Sequence, residues 1–343
     1  MHGKILITGG AGFIGSNFVR YMLRRTKDEG RRSAERSEAS PKGTIRIINL
    51  DKLTYSGNIE NLKDIEKDPR YRFVKGDICD KKLVHKLAKG CNAIINFAAE
   101  SHVDRSIKDP TEFIRTNVVG TQILLDAARK FKIKRFMQIS TDEVYGSITK
   151  GYFTEESPIL PNSPYAASKA AADLLVRSYF VTFKLPTVIV RSANNFGPYQ
   201  YPEKMIPLFI ANALRKRRLP VYADGKNVRE WLYVLDNCDA LNHVFKYGKS
   251  GEIYNIGSGN EMQNILLTKK ILALLGKSNR LIKFVKDRPG HDKRYAMNTR
   301  KLKGLGWRSA HKFEDALRDT VFWYKENTDW WKRLEKVKER RFW

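Results

Sequence analysis

Residues 4–15 read Lys4-Ile5-Leu6-Ile7-Thr8-Gly9-Gly10-Ala11-Gly12-Phe13-Ile14-Gly15. The pattern predicts a strand over 4–8, a tight turn, and a helix through about Arg25. Glycines at 9, 12 and 15 allow the turn, a close approach of the backbone to a pyrophosphate, and close packing of the helix on the strand. The helix N-terminus offers its amides to the phosphates. We therefore predict a dinucleotide-binding turn.

Strands alternate with helical stretches through the N-terminal half of the chain. Further strands are predicted at 45–50, 71–74 and 93–97. This alternation predicts an α/β fold, with a Rossmann-like doubly wound parallel sheet whose ligand lies at the carboxyl ends of the strands. The 45–50 strand ends at Asp51, where an acid can bind a ribose diol and repel a 2′-phosphate, so NAD is favoured over NADP. The next two strands lead to residues expected to flank the cofactor, namely Asp77 and Ile78, then Ala98 and Ala99.

Asp51 lies farther from Gly15 than the usual spacing of about 20 positions. The excess coincides with residues 26–43, which lack bulky apolar side chains and mix charges of both signs. We expect these residues to form a mobile surface insertion.

The composition of the chain limits the classes of protein to which it can belong. The chain has 343 residues, 42% of them hydrophobic, and a formal net charge of +27. No apolar run approaches the roughly 18 residues of a membrane helix, and no signal peptide precedes the first strand, so a cytoplasmic protein is expected. Basic residues are spread through the chain without a nucleic-acid motif, which favours a solvated basic surface suited to a phosphorylated substrate. Cys79, Cys91 and Cys238 have no metal-ligand spacing, and no metal is expected.

Two later motifs carry the chemistry. Thr141, Asp142 and Glu143 end an apolar strand-like run, and Tyr165 and Lys169 follow at helical spacing. Residues four apart share one helix face, so the ammonium is expected to lower the pKa of the phenol and make it a base. Adjacent carboxylates tend to have their pKa values driven apart, which provides an acid and a base. Since Tyr165 supplies a base, a lone histidine at 102 is expected to have a structural or supporting role.

Together these motifs resemble the extended short-chain dehydrogenase/reductases and, within them, the dTDP-glucose 4,6-dehydratase family. Related sugar-nucleotide epimerases have the Tyr-Lys pair but, in the family pattern, lack the two carboxylates. The resemblance covers nearly the whole chain, through residues 9–15, 51–58, 96–107, 140–146, 165–169, 191–207 and 287–292.

The resemblance implies an NAD-dependent hydro-lyase that converts dTDP-glucose to dTDP-4-keto-6-deoxyglucose and water. Tyr165 would take the carbon 4 hydroxyl proton while NAD takes the hydride, with Lys169 holding the nicotinamide ribose and Thr141 the carbon 4 oxygen. Glu143 would remove the carbon 5 proton, and protonated Asp142 would donate to the hydroxyl leaving carbon 6. The hydride then returns to carbon 6. The family also implies a homodimer, through helices that include the one carrying Tyr165, and deoxysugar synthesis such as that of rhamnose.

The resemblance also implies the binding residues. Those for the cofactor are Gly9, Gly12, Phe13, Ile14, Gly15, Asp51, Lys52, Leu53, Thr54, Asp77, Ile78, Ala98, Ala99, Ser101, Thr116, Tyr165, Lys169 and Asn195. Those for the substrate are Ser101, Thr141, Asn194, Lys204, Met205, Pro220, Val221, Tyr222, Arg229, Asn264, Asp287, Arg288, Pro289, Gly290 and His291. Two positions depart from the family pattern: Met205 stands where Leu is usual, and Asn298 lacks the usual acidic neighbour.

The chain is expected to divide into an NAD-binding domain over 1–193 and, over 194–343, a smaller α/β substrate-binding lobe with some segments returning to the first domain. Three functions remain open. The alternatives to the dehydratase are a UDP-glucose 4,6-dehydratase or other NAD-dependent nucleotide-sugar epimerase, and a catalytically silent nucleotide-sugar or RNA-binding protein. The nucleobase is not set, because thymine and uracil differ by one methyl group, worth only about 1–3 kcal/mol.

Overall fold

The computed structural model describes residues 3–35 and 45–341. The strands are β1 (Gly3–Thr8), β2 (Ile45–Asp51), β3 (Tyr71–Lys75), β4 (Ala93–Asn96), β5 (Arg135–Thr141), β6 (Thr187–Ser192), β7 (Asn194–Phe196), β8 (Leu219–Tyr222), β9 (Val228–Tyr233), β10 (Ile253–Ile256), β11 (Glu261–Gln263) and β12 (Ile282–Val285). The α-helices are α1 (Phe13–Glu35), α2 (Lys81–Ala88), α3 (Val103–Lys108), α4 (Thr111–Phe113), α5 (Thr121–Lys130), α6 (Pro164–Phe183), α7 (Met205–Leu214), α8 (Val234–Tyr247), α9 (Asn264–Leu274), α10 (Arg300–Gly304), α11 (Phe313–Glu326) and α12 (Thr328–Arg341). Short 3-10 helices occur at Ile59–Leu62, Asp142–Tyr145 and Asn279–Leu281, and a π-helical segment, Ile114–Gly120, joins α4 to α5.

The large sheet has seven strands in the order β10-β6-β5-β4-β1-β2-β3. Every neighbouring pair is parallel. The chain moves outward from β1 to β3 and then returns to β4 on the other side of β1, so the winding reverses between β1 and β4. This order confirms the predicted doubly wound sheet, and it opens a crevice beside the carboxyl ends of β1 and β4.

Apolar cores cover both faces of this sheet. One contains Phe18 of α1 and Leu241 of α8, and the other contains Leu124 of α5 and Val176 of α6. Among the central strands, β4 is buried at every residue and β5 at all but its first, as burial of both faces requires. The sheet is therefore a rigid base for the loops at its carboxyl edge.

The remaining strands form two small sheets, β11-β9-β7 and β12-β8. They share a third apolar core with α7, α9 and α11. Between them the chain returns to the large sheet, where α8 packs in the core beside α1 and β10 pairs with β6. The expected boundary at 193/194 falls between β6 and β7 and remains our proposal for dividing the chain.

The first helix differs from its prediction. It runs to Glu35 instead of ending near Arg25, so the first part of the expected surface insertion continues α1. Most of residues 26–35 are Lys, Glu, Arg or Ala, which have high intrinsic helix propensity. Residues 36–44, which contain the rest of the expected insertion, lie outside the described residues. Among those described, no helix combines the length and the apolar character that a membrane span requires.

Candidate active site and cofactor cleft

The glycine-rich turn leaves space for a ligand at one glycine only. A Cβ on Gly9, whose φ is +71°, would lie 2.5 Å from the Ala98 nitrogen, and one on Gly15 would lie 2.3 Å from the Gly9 oxygen. A Cβ on Gly12 would meet only the Gly9 oxygen, at 3.3 Å. Gly9 and Gly15 are thus required by the packing of the turn itself, whereas a side chain on Gly12 would occupy the cleft.

Asp51 at the end of β2 holds the turn. Its carboxylate accepts from the backbone nitrogens of Ala11, at 2.9 Å, and Leu53, at 2.8 Å. Burial raises the pKa of this carboxyl group. Leu53 has a φ of +56° and does not line the cleft, so it differs from its expected place beside the cofactor. Its backbone orients the acid that does line the cleft.

Most of the residues expected at the cofactor line one cleft. They are Gly9, Gly12, Phe13, Ile14, Gly15, Asp51, Lys52, Thr54, Asp77, Ile78, Ala98, Ala99, Ser101, Thr116, Tyr165 and Lys169. Sequence reasoning missed several others: Ser56, Gly57, Glu100, Gln200, Tyr201 and Glu203. Glu100 directly follows two expected positions, and burial raises its pKa to about 7.

A second cavity adjoins the cleft and contains most of the expected substrate residues. They are Asn194, Lys204, Met205, Pro220, Val221, Tyr222, Arg229, Asn264, Arg288 and His291. Asn195 lies here and not in the cofactor cleft, whereas Ser101 lines only the cofactor cleft. Gln200, Glu203 and Lys204 line both spaces, so the two meet at these residues.

Four expected substrate residues line neither space: Thr141, Asp287, Pro289 and Gly290. Asp287 instead orients a neighbour, since its Oδ1 lies 2.6 Å from Nδ1 of His291. Asn298 is also absent from both linings, and its backbone nitrogen donates to the Phe153 oxygen. Of residues 287–291, only Arg288 and His291 line the second cavity. These residues form a loop, so no helical or strand periodicity could predict which of them line it.

Several buried polar atoms in the second cavity have no hydrogen-bond partner. They are the side-chain oxygens of Asn194, Asn195, Gln200 and Asn264 and Nε of Arg288. Buried polar groups are usually hydrogen-bonded. Their convergence in one cavity indicates a site for a polar ligand.

Arg229 is held rigidly at the wall of this cavity. Its Nη2 donates to the Asp292 oxygen at 2.9 Å, and its guanidinium lies 4.3 Å from the ring centre of Tyr295. Tyr295 also lines the cavity and was missed, because nothing in its local spacing distinguishes it from a core tyrosine.

The Thr-Asp-Glu triplet lies at the junction between the end of β5 and a 3-10 helix. The Thr141 hydroxyl donates to Asp142 Oδ1 at 3.1 Å and accepts from the Glu143 nitrogen at 3.2 Å. Glu143 lines the second cavity, whereas Asp142 is 1% exposed and its Oδ2 has no partner. Asp142 and Glu143 are thus adjacent in the sequence but differ in their surroundings.

Those surroundings separate the two carboxyl groups electrostatically. Burial raises the pKa of Asp142 well above its ordinary value, and the nearby charge of Glu143 raises it further. Burial also raises the pKa of Glu143, but Lys204, Arg288 and Arg229 act to lower it. Asp142 therefore favours the neutral acid, and Glu143 is the more readily ionised group of the two.

Tyr165 and Lys169 lie in the first turns of α6, whose N-terminus is capped by Ser163 accepting from the Ala166 nitrogen at 3.1 Å. Lys169 Nζ donates to the Ile139 oxygen at 2.6 Å, and burial lowers its pKa to about 8. The pKa of Tyr165 is raised, first by burial and then by the charge of Glu143. The spacing to Lys169 predicted a lowered phenol pKa, and the pKa is instead raised because burial dominates.

His102 lines the second cavity, with Nε2 3.8 Å from Glu203 Oε2. Burial lowers its pKa to about 4, so the imidazole is neutral near pH 7 and a weak base. A supporting role for His102 stays a prediction.

A family model described as GDP-mannose 4,6 dehydratase matches residues 6–320. The low-salt glycan biosynthesis protein Agl12 of Haloferax volcanii is 53% identical, over 93% of this chain and 98% of its own length. A dTDP-glucose 4,6-dehydratase of Streptomyces niveus is 49% identical, over 98% of this chain and 97% of its own. The crystal structure of DesIV, a dTDP-glucose 4,6-dehydratase from Streptomyces venezuelae with NAD and TYD bound, matches with a TM-score of 0.90 and 48% identity, over 96% and 99% of the two chains. The chain belongs to the GDP-mannose 4,6-dehydratase family and resembles, over nearly its whole length, the dTDP-glucose 4,6-dehydratases.

Proposed function

We propose that this protein is a dTDP-glucose 4,6-dehydratase, an NAD-dependent hydro-lyase of deoxysugar synthesis. One arrangement carries the proposal. The cleft that contains Tyr165 and Lys169 meets, at Lys204, the cavity that contains Glu143. An oxidising site and an acid-base site thus act on one bound sugar, and two full-length relatives have this activity in their names.

The cleft residues fit NAD. Gly12 leaves room for a pyrophosphate beside the N-terminus of α1, and Asp51 is fixed at the end of β2 where a ribose diol would lie. Asp77 and Ile78 would flank the adenine, and Lys169 would hold the nicotinamide ribose. When bound, NAD supplies the hydride acceptor and a positive charge that opposes the carboxylates' effect on the Tyr165 pKa.

The side chains then divide the remaining steps. Tyr165 takes the proton from the carbon 4 hydroxyl as the carbon 4 hydride leaves, and Thr141, which lines neither space, orients Asp142 and Glu143 through its hydroxyl. The ketone makes the carbon 5 proton acidic, and Glu143 removes it while Asp142 protonates the hydroxyl that leaves carbon 6 as water. A bound NAD would supply the hydride that ends at carbon 6, and Glu143 would return a proton to carbon 5.

The alternatives differ in what they require of Asp142 and of the base pocket. An epimerase needs no acid at carbon 6, so the raised pKa of Asp142 favours a dehydratase. A UDP-glucose 4,6-dehydratase would need the same groups, and Pro220, Val221 and Tyr222 suit either pyrimidine.

The test incubates purified protein with dTDP-glucose and with UDP-glucose, without added NAD, and follows the 4-keto-6-deoxy product by mass spectrometry. We expect product from dTDP-glucose, at the higher kcat/KM of the two. Faster turnover of UDP-glucose would assign the other nucleotide. Binding of either sugar without product would favour the silent binding protein.

We further propose a cytoplasmic homodimer. Leu174 and Val181, seven residues apart on one face of α6, are 55% and 48% exposed, and a second copy of α6 would cover this apolar face. Light scattering after size exclusion should give a dimer mass, and Leu174→Glu should shift it toward the monomer. A monomeric wild-type protein would contradict the dimer, and activity in the membrane fraction of cells would contradict the cytoplasmic location.

A further inference from the structure

The last helix contacts the glycine-rich turn through two hydrogen bonds. Trp330 Nε1 in α12 donates to Asn61 Oδ1 at 2.9 Å, and Asn61 Nδ2 donates to the Ala11 oxygen at 2.9 Å. Asn61 is 1% exposed. Ala11 lies between Gly9 and Gly12, and its nitrogen donates to Asp51. A residue near the C-terminus is thus linked to the predicted pyrophosphate site.

Aromatic packing fixes Trp330 in place. Its ring centre lies 5.1 Å from that of Trp323 and 5.9 Å from that of Tyr199. The Arg20 guanidinium of α1 lies 4.1 Å from the Tyr199 ring centre and is held by Asp64, with Nε–Oδ distances of 2.8 and 2.9 Å. The cluster therefore contacts the first turns of the helix that the glycine-rich turn begins.

Asn61 can hold the Ala11 carbonyl only while its own amide is oriented. A primary amide can rotate about its Cβ–Cγ bond, and the indole donor fixes which end faces Ala11. Without the Trp330 indole donor, the buried Oδ1 of Asn61 has no hydrogen-bond partner, which costs free energy. Rotation of the Asn61 amide then becomes more favourable. The Ala11 carbonyl would keep only its bond from the Asn58 nitrogen, at 3.1 Å.

We propose that Trp330 and Asn61 are positioning residues that hold the glycine-rich turn in its cofactor-binding geometry. The inference rests on the proposed cofactor site but concerns residues that do not line it. Loss of either side chain should loosen the turn amides around the pyrophosphate and leave the catalytic groups in place. The consequence is faster release of NAD with little change in chemistry.

The test measures the rate at which bound NAD exchanges with excess labelled NAD. Trp330→Phe removes the indole donor, and Asn61→Asp removes the donor to Ala11 but keeps an acceptor for Trp330. We expect each to accelerate exchange by about three- to tenfold, the range that the net free energy of one hydrogen bond corresponds to. At saturating NAD, kcat should stay within about twofold of wild type. The double variant should exchange no faster than the faster single variant, because the two bonds act in series.

Trp331→Phe is the matched control, since Trp331 Nε1 donates to the Tyr324 oxygen in the same region and does not contact Asn61. It should lower thermal stability at least as much as Trp330→Phe but leave NAD exchange unchanged. Wild-type exchange rates in both Trp330→Phe and Asn61→Asp would overturn the inference, as would equal acceleration in Trp331→Phe. A wild-type protein that binds no NAD would contradict the proposed function itself.

Discussion

At the scale of single residues, the proposed acid and the proposed base are distinguished by their neighbours and not by their own chemistry. Burial raises the pKa of both carboxyl groups; the charge of Glu143 adds to the rise at Asp142, whereas three cations oppose the rise at Glu143. Of these cations, Lys204 precedes α7 and Arg229 lies in β9. The division of labour therefore depends on the lobe that contains the second cavity.

Glu143→Gln should separate the two halves of the reaction. The amide cannot remove the carbon 5 proton, so elimination should fall by about 100-fold or more, while oxidation at carbon 4 falls far less. Single-turnover mixing with dTDP-glucose, followed by NADH absorbance and by quenched product analysis, measures both steps. Glu156→Gln, at an exposed carboxylate, is the control. Equal losses in both steps would show that Glu143 is not the base.

The sequence predicted which residues meet at the site better than it predicted their ionisation. Tyr165 and Lys169 lie at the cofactor cleft as expected, but the pKa of Tyr165 is raised, first by burial and then by Glu143 from another element. Helical spacing predicts that two side chains share a face, and it carries no information about burial by the rest of the fold. The same limit explains why Tyr295 was missed.

At the scale of elements, the glycines of the turn have different roles: Gly15 is required for packing, and Gly12 leaves space for the cofactor. Gly15→Ala would place a Cβ 2.3 Å from the Gly9 oxygen and should destabilise the protein by about 1–3 kcal/mol. Gly12→Ala meets one backbone atom at 3.3 Å, a less severe contact than the one at Gly15, so its stability should fall less, while NAD affinity falls because the methyl group occupies the cleft. Urea unfolding and NAD titration of both variants measure this. Unchanged NAD affinity in Gly12→Ala would contradict the assigned role of Gly12.

The first four strands of the large sheet could be predicted because most of their residues are apolar and they are bounded by glycines and polar turns. The position at which α1 ends could not be predicted from the sequence in this way. The polar residues after Arg25 look like a loop by hydropathy but have good helix propensity, and no proline precedes Pro41.

At the scale of the whole molecule, Asp142 should affect the pH dependence of folding. Its pKa is raised in the folded protein, so above the unfolded pKa of about 3.8 the folded state binds more protons than the unfolded state. Stability contributed by the neutral carboxyl is thus present at low pH and is lost as the pH rises toward the folded pKa. Asp142→Asn removes this titration, so its stability relative to wild type should increase in urea unfolding as the pH rises above the unfolded pKa of about 3.8. A difference in stability that stays constant as the pH rises above that value would contradict the raised pKa.

Contacts between distant parts of the chain were the least predictable. The Trp330–Asn61 bond joins residues 269 positions apart, and each looks locally like an ordinary surface or turn residue. The proposed division into two lobes rests on motifs, and the packing of the C-terminal helices against the N-terminal half of the chain has no local pattern.

In the proposed reaction, oxidation, elimination and reduction occur in order on one sugar. Conversion of dTDP-glucose in D2O, with deuterium in the product located by NMR, tests this order. We expect one deuterium at carbon 5, exchanged through Glu143, and at carbon 6 the hydrogen that began at carbon 4. A 4-keto-6-deoxy product without deuterium at carbon 5, or with solvent deuterium in place of the transferred hydride at carbon 6, would contradict it.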